Sequence, residues 1–153
     1  MGALFYSSKL DEIGIFNLLA AQLRFGYLQA MKFTLADNSG NYIIRSYDPG
    51  EVVIDDYRYN SSVIVTPKQI IDNWPPQSFT DLAPEHFNSL IDLNPQLIIL
   101  GTGTTQQFPR PELYASLVNQ GMGIEVMATS AACRTYNILV AEGRNVAAAL
   151  LLI

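Results

Sequence analysis

The sequence predicts a small α/β protein with a mixed central sheet, in which an antiparallel β-rich region precedes a parallel β-α-β-α-β unit. Between Pro95 and Ile153, continuous apolar runs alternate with two amphipathic stretches, a pattern typical of parallel strands joined by helices. From Lys32 to Thr66, short segments are joined by connections too short for parallel crossovers. The length of 153 residues suits one domain with one core.

The β-rich region is predicted from alternating segments separated by turn residues. A short strand is expected at residues 32–35, and further strands at 42–47, 51–54 and 61–66. Asp48-Pro49-Gly50 is a strong turn signal between two of them. We expect antiparallel pairing throughout this region because its loops are short.

The middle of the chain is interpreted as a connector with one short helix. Trp74-Pro75-Pro76 cannot continue a helix or a central strand. Pro84 suits the first turn of a helix that runs to Leu90, and Asn94-Pro95 ends it.

The β-α-β-α-β unit gives the clearest pattern. Buried strands are predicted at residues 97–100, 124–127 and 146–152. Helices are predicted at residues 111–120 and 129–142, each with a glycine just beyond its end. Thr129 is expected to be the N-cap of the second helix.

Composition narrows the partners that the chain can have. The formal net charge is −5, from 9 basic and 14 acidic residues, which argues against a nucleic-acid partner. The single cysteine, Cys133, cannot form a disulfide within the chain or a multi-cysteine metal site, and it suits a reducing compartment. We predict no catalytic set, no metal and no cofactor.

The first thirty residues need a separate interpretation. Residues 11–27 have apolar side chains at helical spacing, but they lack the pattern of a signal peptide, a membrane span or a transit peptide. We interpret residues 1–30 as an extension that is either poorly ordered or absent from a natural chain beginning at Met31. Residues 31–153 are interpreted as a single domain, and we expect a cytoplasmic protein without a transmembrane segment.

The loop after the first parallel strand is one candidate site. Gly101-Thr102-Gly103-Thr104 resembles the opening of a dinucleotide-binding loop, in which backbone amides approach a phosphate. Gln106 replaces the third glycine, however, and Pro109 delays the following helix. A tight turn that requires glycine for its backbone geometry is therefore favoured over a dinucleotide site.

The helix after the next strand supplies further candidates. Ser130, Arg134 and Asn137 lie along one face by spacing, and Arg110 could join Arg134 in binding an anion. The alternative, which we favour, is that Arg134 and Asn137 bond loop carbonyls. The residues of this hypothetical ligand site are Gly101, Thr102, Gly103, Thr104, Arg110, Thr129, Arg134 and Asn137.

Cys133 lies in the first turns of the same helix, where a thiolate would be favoured. A nucleophile would need a base, and the single histidine, His86, lies in the distant connector. We therefore favour burial of Cys133 as a small apolar group over a reactive thiol.

Two segments together, Leu97–Gly103 and Thr129–Leu139 with its continuation Glu142-Gly143-Arg144, resemble the Mth-type domain family of unknown function. The resemblance covers residues 31–153. It implies a three-layer α/β fold around a mixed sheet, without a known reaction or cofactor. The family's relatives include mitochondrial complex I assembly factor 3, an assembly chaperone, and the adipogenesis-associated Mth-domain protein.

The resemblance implies a non-enzymatic binding or assembly module that engages a protein partner, a component of a membrane or respiratory complex. The alternative is a small-molecule protein or enzyme that binds an anion or a phosphate-containing ligand. Its site would lie at the carboxyl edge of the parallel strands, where ligands usually bind in such sheets.

Overall fold

A computed structural model describes residues 40–153 of the chain. The expectations for the extension over residues 1–30, for the start at Met31 and for the strand at 32–35 lie outside the described residues.

Residues 40–153 form eight strands, three α-helices and one short 3-10 helix. In chain order they are β1 (Ile44–Asp48), β2 (Glu51–Ile54), β3 (Tyr57–Tyr59), β4 (Val63–Thr66), β5 (Gln69–Ile71), the 3-10 helix (Phe79–Asp81), α1 (Pro84–Ile91), β6 (Leu97–Thr102), α2 (Pro111–Asn119), β7 (Gly123–Met127), α3 (Thr129–Ala141) and β8 (Val146–Leu151).

The larger sheet has five strands in the order β5-β4-β8-β6-β7. Strand β6 runs parallel to both β8 and β7, with Leu100 opposite Ala149 on one side and Val126 on the other. Strand β4 is antiparallel to β5 and β8, so the sheet is mixed. All of β8 is buried, which explains its continuous run of apolar residues.

The smaller sheet contains β1, β2 and β3 in that order, with antiparallel pairing as predicted. The predicted strands at 42–47 and 61–66 each begin two residues later than expected, at Ile44 and Val63. Strands β3 and β5 were not predicted, because each has three residues and follows directly after turn residues.

The two faces of the larger sheet pack against different helices. Ile98 and Leu100 of β6 lie in a core cluster with Phe87 of α1 and Leu117 of α2. Side chains alternate along a strand, so Gly101 belongs to the other face, where it meets the start of α3. Helix α3 also contacts β8 and β1. The predicted three-layer arrangement around a mixed sheet is confirmed.

The helices begin and end near the predicted start and stop residues, with one exception. Helices α2 and α3 end before Gly121 and Gly143, both at positive φ. The N-cap of α3 is Ala128, however, so the prediction of Thr129 as N-cap is wrong. Within residues 40–153, no helix has the length and apolar character needed to cross a membrane.

Candidate functional site

The carboxyl ends of β6 and β8 meet the first turn of α3 at one buried threonine. The Thr129 hydroxyl accepts a hydrogen bond from the Gly103 N–H (2.7 Å) and donates one to the Leu151 carbonyl (2.7 Å). The Thr129 N–H donates to the Gly103 carbonyl (2.8 Å). Thr129 is fully buried, so its hydroxyl accepts from and donates to groups of the protein and not to water. Its hydroxyl joins the two strands to the helix.

Glycine at position 101 is required by the close approach of α3. A Cβ atom there would lie 2.9 Å from Thr129 Oγ1 and 3.0 Å from Thr129 Cα, which real Cβ contacts do not tolerate. Gly103 has a φ of +100° and lies under the backbone of Ile153. Gly101 thus serves strand–helix packing, and Gly103 supplies a positive φ beside Ile153, which agrees with the tight-turn interpretation.

The rest of the glycine loop closes on itself. The buried Thr102 hydroxyl donates to the Thr105 carbonyl (2.7 Å) and accepts from the Gln107 N–H (3.1 Å). Thr104 is exposed at the tip. Among the four loop residues proposed for the ligand site, Thr104 is therefore the one whose side chain faces solvent.

Asn137 lies away from this edge, and its side chain bonds to the backbone of β1. Its Oδ1 accepts from the Ile44 N–H (2.9 Å), and its Nδ2 donates to the Ile44 carbonyl (2.7 Å). The amide thus pairs with the backbone of β1 as a neighbouring strand would. The sequence interpretation grouped Asn137 with Ser130 and Arg134, but Asn137 is buried whereas the other two are exposed. Both polar atoms of the Asn137 side chain are therefore bonded to Ile44, away from the other residues of the hypothetical ligand site.

The two arginines of the hypothetical anion site lie at the protein surface. Arg110 occupies the residue before α2, and Arg134 lies in the second turn of α3. Neither guanidinium makes a hydrogen bond or an ion pair with another residue of the range 40–153. The alternative in which Arg134 bonds loop carbonyls is therefore not what the structure has.

Cys133 is buried against the interior side of α3. Burial raises the pKa of the Cys133 thiol from 9.0 to about 12, and the nearby Arg134 lowers it by less. The thiol is therefore protonated at neutral pH and inaccessible to a substrate. These observations favour packing of Cys133 as a small apolar group over a reactive thiol.

One polar contact near the site was not anticipated. Gln106, which occupies the position of the missing third glycine, donates its Nε2 proton to the Val126 carbonyl of β7 (2.9 Å). Phe108, two residues further on, is 72% exposed. The sequence places this aromatic residue between Gln107 and Pro109, and no local pattern there signals that its side chain is exposed.

A family model described as "Protein of unknown function (DUF498/DUF598)" matches residues 44–151. The chain belongs to this family. A solved structure from Bordetella parapertussis has a TM-score of 0.71 at 33% identity, covering 74% of this chain and 98% of that one. A Bordetella pertussis protein described as a Mth938-like domain has a TM-score of 0.66 at 28% identity, covering 72% and 85%. The predicted Mth-type family is confirmed.

Two curated relatives of this DUF498/DUF598 member have different names. A "13 kDa major membrane protein" of Francisella tularensis is 29% identical, over 67% of this chain and 84% of that protein. The NADH dehydrogenase (ubiquinone) 1 alpha subcomplex assembly factor 3 of Danio rerio is 32% identical, over 74% of this chain and 66% of its own length. The chain therefore spans about two thirds of that assembly factor.

Proposed function

We propose that this protein is a non-enzymatic binding module that acts in assembly, through a protein partner belonging to a membrane-bound respiratory complex. One observation carries the proposal: at the sheet edge where α/β proteins usually bind ligands, the polar groups bind one another. The Thr129 and Thr102 hydroxyls both bond to backbone groups of the protein, in the glycine loop and at the end of β8. This leaves no nucleophile with a base at that edge among residues 40–153.

The choice of partner is supported by the relatives. Several relatives of this chain are named as assembly factors of NADH dehydrogenase, and the alignments with the Bos taurus and Danio rerio proteins cover 71% and 74% of this chain. Such a factor needs a surface that recognises another chain, and it needs no catalytic group.

The test is affinity purification of a tagged full-length chain from its native cells after mild cross-linking, followed by mass spectrometry. We expect subunits of a membrane-bound respiratory complex to be enriched over a tag-only control. Recovery of the free chain alone, under several mild extraction conditions, would contradict the proposal. Deletion of the gene should also lower the amount of the assembled complex without changing its subunit transcripts.

The competing hypothesis is an anion site at the same edge, and the exposed Arg110 and Arg134 are the observation in its favour. A ligand that binds the folded state raises its stability by mass action. Thermal-shift measurements with inorganic phosphate and nucleotides separate the two hypotheses. A shift that Arg134→Ala abolishes would favour the anion site, and we expect none.

We propose the cytoplasm as the compartment, supported by the single buried and unpaired Cys133. A peripheral contact with a membrane complex from that side is compatible with this location. Cell fractionation tests it: the chain should appear in the cytoplasmic and peripheral-membrane fractions and be released by salt or carbonate.

A further inference from the structure

Among the strands of residues 40–153, β7 forms one edge of the larger sheet, and its backbone directions can be assigned residue by residue. The Gly123 N–H donates to the Gln96 carbonyl (3.2 Å), so the backbone of Gly123 points towards β6. Directions alternate along a strand, so Glu125 and Met127 also point towards β6. The backbone groups of Ile124 and Val126 consequently point away from the sheet.

A contact from outside the sheet agrees with this assignment. The Val126 carbonyl accepts the side-chain hydrogen bond from Gln106, which occupies the place of a neighbouring strand. Within residues 40–153, the N–H and carbonyl of Ile124 and the N–H of Val126 have no hydrogen-bond partner. An extended backbone is the ligand that supplies alternating donors and acceptors at this spacing.

The side chains of β7 differ between the two faces. Ile124 and Val126 are partly buried against the core cluster beneath α1 and α2. Glu125 points to the opposite face and is exposed. Its carboxylate has no basic group within ion-pair distance in the described part of the chain, where Arg58–Glu51 is the ion pair found.

We propose that the outer edge of β7 binds an extended segment of the protein partner as an added strand. Apolar residues of that segment lie opposite Ile124 and Val126, and a basic residue lies opposite Glu125. Phe108 is exposed and follows two residues after Gln106, whose side chain is bonded to Val126 on this edge. The inference deepens the proposed function and rests on it.

Charge favours a basic partner segment over a second copy of this chain. The chain has a net charge of −5, so two copies repel each other. Antiparallel pairing of two β7 strands centred on Glu125 would also place two carboxylates directly opposite one another, which is destabilising.

The test uses NMR titration of the full-length chain with the capped peptide Lys-Val-Lys-Val-Lys. Two matched probes are its acidic counterpart, Glu-Val-Glu-Val-Glu, and the basic peptide with N-methylated peptide bonds. We expect the basic peptide to shift the amide signals of Ile124 and Val126 at a concentration at least about tenfold below that of the acidic peptide, since like charges oppose pairing. The N-methylated peptide should shift neither signal.

Two variants make the result specific. Val126→Pro removes an outward N–H and should abolish the shift of the Ile124 amide signal, and Glu125→Lys should reverse the preference to the acidic peptide. Glu125→Lys is exposed and keeps the backbone, so it remains informative if Val126→Pro fails to fold. Equal shifts by both peptides, shifts that survive N-methylation, or no shift at millimolar peptide would overturn the inference.

Two further outcomes also count against the inference. A dimer of the free chain that Val126→Pro dissociates in sedimentation would identify a second copy as the occupant and overturn it. Failure of the peptide test together with recovery of a cross-linked respiratory complex would leave the proposed function standing and place the binding surface elsewhere.

Discussion

The carboxyl end of β6 and the outer edge of β7 lie on the same sheet but differ in the hydrogen bonding of their polar groups. At the first, Gly103, Thr129 and Leu151 bind one another and are buried. At the second, the outward groups of Ile124 and Val126 meet one side chain within residues 40–153, that of Gln106. The region with a ligand-like sequence motif is thus structural, and the region without one has hydrogen-bonding groups that the described part of the chain leaves without a partner.

Among substitutions studied at neutral pH, the largest effect is expected from Asn137→Ala, which tests the structural role of α3. Removing the amide leaves the buried N–H and carbonyl of Ile44 without partners. Because each unsatisfied buried group costs about 1–3 kcal/mol, we expect a loss of about 3 kcal/mol in the free energy of unfolding. Urea denaturation measures it.

Asn145→Ala is the matched control for this variant. The exposed Asn145 amide also bonds a carbonyl, that of Asn94 (3.0 Å), but water can replace this contact. The loss should stay below about 1 kcal/mol. Equal losses for the two variants would show that the Asn137 contacts have no special structural weight.

Thr129→Val tests whether the glycine loop is a structural junction. Valine keeps the shape but removes the hydroxyl, which leaves the Gly103 N–H and the Leu151 carbonyl unpaired. We expect a loss of about 2 kcal/mol in the free energy of unfolding. The exposed Thr104→Val should change it by less than about 0.5 kcal/mol. The reverse order would indicate that the loop is free for a ligand.

Alkaline pH should destabilise the protein through the buried thiol. Since the pKa of Cys133 is about 12 in the folded state and 9.0 as the unperturbed value, the unfolded chain loses this proton first. The free energy of unfolding then falls by about 1.4 kcal/mol per pH unit from this group between pH 9 and 12, and below pH 9 the contribution is fully present. Urea denaturation of Cys133→Ala should give a free energy of unfolding that falls less steeply with pH over this range. The difference in slope should be about 1.4 kcal/mol per pH unit, which corresponds to one proton.

The smallest effect is expected from Arg134→Ala. The guanidinium is exposed and has no partner among residues 40–153, so the free energy of unfolding should change by less than about 0.5 kcal/mol. A loss above about 1 kcal/mol in the free energy of unfolding would show that Arg134 stabilises the contact between α3 and the glycine loop.

Much of the fold was predictable because hydrophobic patterning sets it locally. The apolar runs of β6 and β8 indicate buried strands, and the glycines after α2 and α3 mark helix ends. The structure has these elements within one or two residues of the predicted bounds. The short β3 was missed because Tyr57-Arg58-Tyr59 is too brief for an alternating pattern to show.

The candidate site was less predictable, because its contacts join residues far apart in the chain. Asn137 contacts Ile44, which lies 93 positions away, and helical spacing alone placed it beside Arg134. The hydroxyl of Thr129 was expected to cap the helix. It bonds instead to Gly103 and Leu151, at the ends of two strands. The free edge of β7 depends on strand order, which no local pattern encodes.

Amide hydrogen exchange of the free, full-length protein tests the contrast between the two regions most directly. The Gly103 amide, bonded to the buried Thr129 hydroxyl, should exchange slowly, as should Glu125, which points towards β6. The amides of Ile124 and Val126 should exchange orders of magnitude faster than both. Fast exchange at Gly103, or slow exchange at Ile124 and Val126, would contradict the account.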